Sequence, residues 1–296
     1  MARFAIERSD EIILHRSNEL SDFYVFSPCV WDEHGRYHAL LRVVNPSDNP
    51  TEKMSSIFYA AGRSAIEFAM DAQPTIKPGP GQDDRDGCED PTLSSRHGVY
   101  HVYYTGWNQA KLAGNLLLAT GRDIHNLQKR GPVFPDISRF RNPKEATIAR
   151  AADGSWRLFF EFAEDNKSKI GVASAQHLEG PWTFGAPPFD ARPQMWDCWH
   201  LSTGPVSTVD PQRPVMFYNG SDRDARWRIG WIEFDSCFKE IRARGDDPII
   251  TPPAKPEHAD YTDIAFANSA LDEGHFVGLY YSIADRVMQR ALLRRT

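Results

Sequence analysis

The chain has 296 residues, a net charge of −6, 41% hydrophobic and 25% charged residues, an ordinary composition for a globular protein with room for one large domain or two average ones. The acidic balance, with no Lys/Arg run longer than Arg294-Arg295, argues against nucleic acid or anionic membranes as partners, and no apolar run approaches the ~18 residues of a membrane helix. Charges interrupt the opening MARFAIERSDEIILHRS, so no secretory signal is expected. The four cysteines, Cys29, Cys88, Cys198 and Cys237, lie far apart with no C-x-x-C spacing. Neither a zinc site nor a disulfide framework is expected, and a reduced, cytoplasmic protein fits best.

Helical periodicity is scarce, and its best instance, AIEFAMDAQ, is short and runs into proline. Short β-rich runs bounded by Gly, Pro, Asn and Asp dominate. One unit, a turn followed by an aromatic strand, recurs as DEHGRYHALLRV (32–43), SRHGVYHVYYTG (95–106), AADGSWRLFFEF (151–162), DPQRPVMFYNGS (210–221) and LDEGHFVGLYYS (271–282). Gly35, Gly98, Gly154 and Gly274 mark four of these turns, and Arg213 takes that place in the remaining one. A second strand follows each: IFYAAG, LLLATG, IGVASA, IGWIEF and VMQRALL. The intervals of 63, 56, 59 and 61 residues fit a five-bladed β-propeller, a single domain over 1–296 closed by pairing of FAIERS or EIILHRS with the last blade. A β-sandwich is the alternative architecture.

In a propeller the residues leading into each blade's repeat strand converge near the axis. Blade one supplies Ser27 and Arg42; blade two, Glu89 and Asp90 of GCEDP; blade three, Lys144, Glu145 and Glu161. Blade four supplies Asp197, Trp199, His200, Asn219 and Asp222; blade five, Asp263, Asn268 and Asp285. Carboxylates, cations and tryptophans at one mouth make a candidate sugar site. Glycoside cleavage needs one carboxylic acid to protonate the leaving oxygen and a second carboxylate to activate water or attack the anomeric carbon. Crowding of like charges keeps one acid protonated near neutrality, and Trp stacks on a pyranose face. Each residue also has a structural reading: Asp90 as a turn cap before Pro91, Glu145 as a solvated loop residue, Glu161 as a bridge to Arg42 or Lys144, His200 as a satisfied core histidine, Asp285 as a cap of the final turn, and Trp196 and Trp199 as blade packing.

These residues carry a resemblance. GCEDPTLSSRHGVYHVYYTG resembles the G-x-E-D-P-R motif and following strand of glycoside hydrolase family 130, the β-mannoside phosphorylases and mannosidases. HALLRVV, NPKEATIARAADGSWRLFFE, DPIITPP and LYYSIADRVMQRALL are similar to its other segments, so the likeness spans nearly the whole chain. The resemblance implies Asp90 as general acid, with Arg42 and Asp285 holding the sugar beside the cleaved bond. The chain departs from the family at Thr92, where the motif has arginine, and at Glu161 and Asn219, where the phosphorylases carry phosphate ligands. An anion at 161 repels phosphate. Families 43 and 32 offer a second template, in which Glu145 of Glu145-Ala146-Thr147 would be the acid and the blade-two aspartate would orient it. Their blade-one Asp is Ser27 here.

The sequence thus points to a glycoside hydrolase acting on a small oligosaccharide or glycoside, with a β-mannoside implied by the resemblance alone. Asp90 is the acid and Glu161 or Glu145 the base; Arg42, Glu89, Lys144, Trp199, His200 and Asp285 bind substrate. No cofactor is expected, no metal-ligand set has a diagnostic spacing, and a homo-oligomer is left open. A carboxyl separation of ~6.5–9.5 Å would mark inversion and ~5–5.5 Å retention. A phosphorylase, with Lys144, Arg141 and His200 supplying positive charge, and a non-catalytic sugar-binding propeller are the alternatives. Asp90→Asn separates enzyme from binding module: in an enzyme, turnover vanishes while calorimetry still detects sugar binding.

Overall fold

The computed structural model describes residues 4–136, 140–256 and 261–296. It is a five-bladed β-propeller, and the blades follow the repeat read from the sequence. Blade one comprises Tyr24–Glu33, Arg36–Val44, Ser55–Ser64 and Glu67–Met70. Blade two is Gly87–Arg96, Val99–Asn108, Ala113–Gly121 and Gln128–Pro132; blade three is Arg141–Arg150, Trp156–Glu164, Lys167–Ala175 and Thr183–Phe184. Blade four has the same order, but each of its first three strands is broken in the middle, as in Leu201–Ser202 and Val206–Ser207. Blade five is Ala265–Glu273, Phe276–Ile283 and Val287–Arg295. Its fourth strand is Phe4–Glu11, which pairs antiparallel with Val287–Arg295 and closes the ring. Ile13–His15 then adds in parallel to Glu67–Met70. The segment AIEFAMDAQ supplies that outer strand of blade one and no helix, because pairing with Ser55–Ser64 overrides its weak helical pattern.

The aromatic repeat strands are second in each blade. Their two faces meet the neighbouring blades on either side, so they read as continuous apolar runs. Phe159 and Phe160 of LFFEF point to opposite faces and are both fully buried, in two different core clusters. The hairpin glycines before these strands sit at positive φ, +78° at Gly35 and +71° at Gly98, where a Cβ would be strained. Blade four lacks the glycine because Asp210 accepts from the Gln212 amide and caps the turn instead.

Innermost is a strand that precedes each repeat unit. The sequence reading treats E-D-P as the approach to a strand; the structure places it inside one, Gly87–Arg96. Four inner strands skip register at the same height, between Phe26 and Cys29, Glu89 and Thr92, Lys144 and Thr147, and Ala267 and Ser269. Blade four breaks there, between Ser202 and Val206. Such bulges leave backbone groups without ladder partners, and side chains of adjacent blades take them. Thr92 Oγ1 donates to Ala146 O at 2.7 Å, Thr203 Oγ1 to Glu145 O, and Ser269 Oγ to Pro28 O at 2.6 Å. Asn219, fully buried, donates to Thr203 O (2.6 Å) and Ala267 O (3.2 Å) and accepts from the Ala267 amide (2.7 Å). At Gly204 a Cβ would lie 1.8 Å from Phe217 O, so no other residue fits that crossing.

Asn219→Ala strands three buried backbone groups at the blade four–five seam. It should cost on the order of 3 kcal/mol in urea unfolding.

Candidate active site

The bulges aim the functional side chains. Ser27, Asp90 and Glu145 occupy equivalent bulge positions with φ of +52°, +46° and +51°. A non-glycine residue in this left-handed region costs roughly 1–2 kcal/mol, and here it turns the side chain toward the axis. Together with Asn268 of blade five these residues floor a pocket of about 340 Å³. Its polar lining includes Arg42, Glu89, Lys144, Glu161 and Asp285, and its walls are Phe26, Trp227, Ile264 and Phe266.

Arg42 is the hub on one side. Its Nη1 lies 3.2 Å from both Asp90 oxygens, and its Nη2 2.6 Å from Glu89 Oε1. The Ser27 hydroxyl donates to Asp90 Oδ1 at 2.7 Å and the Ser55 hydroxyl to Glu89 Oε1 at 3.2 Å. On the other side Lys144 and Glu161 face each other across adjacent strands, with Nζ 3.3 Å from Oε1. The Ser168 hydroxyl donates to the same Glu161 oxygen at 2.6 Å. Between the two groups, Glu145 lies beside Asp90 in the pocket lining and couples to it electrostatically.

Burial alone would raise Asp90, but Arg42, the Ser27 hydroxyl and the neighbouring Glu145 outweigh it and hold this carboxyl below its ordinary range. Glu145 goes the other way. Burial, then the charge of Asp90, push it well above the usual glutamate value. The opposite directions favour the proton on Glu145 over Asp90, although the pair titrates together. The resemblance implies Asp90 as the acid; the donors clustered on Asp90 favour its ionised form. Burial also raises Glu89 and Asp285. The Glu161 charge raises Lys144, so this amine stays protonated.

Seven of the nine residues expected to catalyse or to bind substrate thus meet in one cavity: Arg42, Glu89, Asp90, Lys144, Glu145, Glu161 and Asp285. Two others do not line it. His200 stands behind the wall, its ring stacked on Trp227 (5.7 Å, 8° between planes) and its Nδ1 accepting from the Ser168 amide. Burial lowers its pKa, so it is no cation at neutral pH. Trp199 lies outward beside it, with Lys167 Nζ and the Arg223 guanidinium 4.6 and 4.8 Å from its ring centre. Both expectations fail because blade four reaches the axis through its broken strand at Thr203-Gly204, leaving Trp199 and His200 before the strand. Arg141 is exposed and lines no part of the pocket. Asp197 is a buried ion-pair centre for Arg192 and Arg244, and Asp222 holds Arg228. Trp196 packs on Tyr218. Asn219 belongs to the inter-blade seam. Sequence reasoning missed Trp227, Phe266 and Ser168. Trp227 opens blade four's third strand, and that place in the repeat was its one available signal.

No known protein-family profile matches the chain. Among curated proteins it is 24% identical over 285 residues to a 1,2-β-oligomannan phosphorylase of Thermoanaerobacter, covering 93% of this chain and 92% of that one. It is also 24% identical over 247 residues to a β-1,2-mannobiose phosphorylase of Listeria innocua, covering 79% of this chain and 65% of the relative, so that match spans about two thirds of the relative's length. A solved β-1,2-mannobiose phosphorylase from Listeria innocua in complex with β-1,2-mannobiose superposes with a TM-score of 0.77 at 19% identity, over 97% of this chain and 91% of that one. A structure reported with glycoside hydrolases of family 130 that target β-1,2-mannosidic linkages in Candida mannan gives 0.76 at 20% identity, over 91% and 84%. The fold is thus the five-bladed propeller of glycoside hydrolase family 130.

The raised carboxyl of Glu145 binds a proton in the folded state that it releases on unfolding at any pH between about 4.5 and its folded value. Its contribution to stability is fully present below 4.5 and is lost as pH rises through that window. Glu145→Gln should therefore flatten the decline of unfolding free energy above pH 4.5, measured by denaturant titration at several pH values.

Proposed function

We propose that the chain is a carbohydrate-active enzyme that cleaves a β-mannosidic bond in the axial pocket, with water as the acceptor. The substrate class rests on the names of the relatives, all of which act on β-1,2-linked mannosides. The choice of water rests on one observation. Glu161 is 3% exposed and neutralises Lys144, the one cation at that end of the pocket among the lining residues. A phosphate dianion placed there would find no spare positive charge to meet its own.

The proposed roles follow from the proton inventory. Asp90 and Glu145 lie side by side and titrate together, so they do not stand on opposite faces of a sugar ring. They act together as the acid side. Glu145 holds the proton, Asp90 and Arg42 orient it, and the pair gives one proton to the leaving oxygen as the glycosidic C–O bond breaks. Glu161, held by Lys144 and Ser168, accepts a proton from the water that forms the new C–O bond. This is the division of labour of an inverting enzyme. Asp285 and Arg42 hold the sugar between the two sides, and Trp227 and Phe26 supply apolar walls.

Phosphorolysis is the second reading, and the comparisons favour it over hydrolysis, since every named curated relative is a phosphorylase. Incubating β-1,2-mannobiose with and without inorganic phosphate decides between them. Hydrolysis yields free mannose equally in both; phosphorolysis yields mannose 1-phosphate in the presence of phosphate alone. Under the hydrolytic reading Glu161→Gln lowers kcat by about 10²–10⁴-fold, and the rate of the parent falls at high pH as Glu145 loses its proton.

A further inference from the structure

Trp199 and His200 line no part of the pocket, yet they brace the hairpin that carries Glu161. The third strand of blade three, Lys167–Ala175, meets its outer neighbour Thr183–Phe184 only at Ala173 and Ser174. Its upper end is therefore an open edge, and the part-buried Ser168 amide there needs a partner from elsewhere. Blade four supplies one: His200 Nδ1 accepts from the Ser168 amide at 2.9 Å. A ring nitrogen that accepts carries no proton, so the imidazole is neutral with its proton on Nε2. Burial favours that neutral form over the pull of the Glu161 charge, and Lys144 and Lys167 add to the effect of burial.

The ring is itself held by two others. It lies parallel to Trp227 and meets Trp199 edge-on, with 5.8 Å between centres and 74° between planes. Lys167, the residue before Ser168, places its Nζ 4.6 Å from the Trp199 ring centre. Blade four thus clasps blade three at two successive residues. What the clasp fixes is the origin of the Ser168 side chain, whose hydroxyl donates to Glu161 Oε1 at 2.6 Å. Lys144 Nζ approaches that same oxygen at 3.3 Å. With both donors on Oε1, Oε2 is the oxygen left to receive a proton. Two hydrogen bonds, joined through one residue, therefore connect His200 to the carboxylate.

We propose that His200 is a positioning residue for Glu161: it anchors the Ser168 backbone, and the Ser168 hydroxyl then holds the carboxylate where it takes the proton of the attacking water. This rests on the hydrolytic role given to Glu161 above. The kinetic test compares three variants on β-1,2-mannobiose. His200→Ala removes the acceptor, His200→Asn puts an amide oxygen near the place of Nδ1, and Ser168→Ala keeps the amide but removes the hydroxyl. His200→Ala and Ser168→Ala should each lower kcat at least about tenfold, with KM within about twofold of the parent's. Combining them should be little worse than either alone, because both act through one contact. His200→Asn should recover most of the loss. In a Glu161→Gln background, His200→Ala should change the residual rate by less than about twofold. Losses that add in the double variant, that fall mainly on KM or that persist in Glu161→Gln belong to a merely structural histidine and overturn the proposal. Crystal structures of the same variants read the placement without turnover. The Ser168–Glu161 contact should be lost or split between conformers in His200→Ala and kept in His200→Asn; an unchanged contact in His200→Ala also overturns the proposal. A parent that cleaves only with phosphate, or not at all, refutes the proposed function instead, and the crystal structures still decide the positioning.

Discussion

The site depends on one backbone constraint: five inner strands must converge on an axis too narrow for five regular ladders. Each gives way at the same height, four by a bulge and the fourth blade by a break at Gly204. The bulge does two things. It turns Ser27, Asp90 and Glu145 out of the pleat into left-handed conformations aimed at the axis, and it frees backbone groups that only a neighbouring blade can satisfy. Thr92, Thr203, Asn219 and Ser269 are therefore part of the site without touching it. They hold the seams that keep the strained residues where they are.

Packing acids this closely requires compensation, and the two cations divide the work unequally. Arg42 forks across Glu89 and Asp90, so the charge on that side stays on Asp90 while burial drives the Glu145 proton on. Lys144 answers Glu161. The result is two glutamates on different strands of blade three in unlike surroundings, Glu145 against another carboxyl and Glu161 against a lysine. Under the proposed function, that difference sets the proton donor at the Asp90 end and the proton acceptor at the Glu161 end.

Much of this was legible from the chain. The ~60-residue period, the glycine at the hairpin before each aromatic strand and the N-terminal closure all follow from local chemistry: φ > 0 turns and strands buried on both faces leave a signature in any sequence that uses them. Blade four was the faint copy because an Asx turn and broken strands replaced the usual signals. Seven pocket residues were also readable, since each occupies a repeat-equivalent place and carries a titratable or cationic group. Trp199 and His200 misled for the converse reason. They have the right chemistry, but the broken strand of blade four shifts the axial position to Thr203-Gly204.

The sequence by itself determined the architecture, the register of the repeat and the roster of ionisable groups near the axis, because these depend on periodicity and residue type. Only the tertiary structure decided that Asp90 and Glu145 are pushed in opposite directions, that Glu161 is matched with Lys144, and that Asn219 is a seam residue. Those outcomes turn on distances of a few ångströms between residues tens to hundreds of positions apart. Desolvation and Coulomb energies vary steeply over such distances, and spacing along the chain does not encode them.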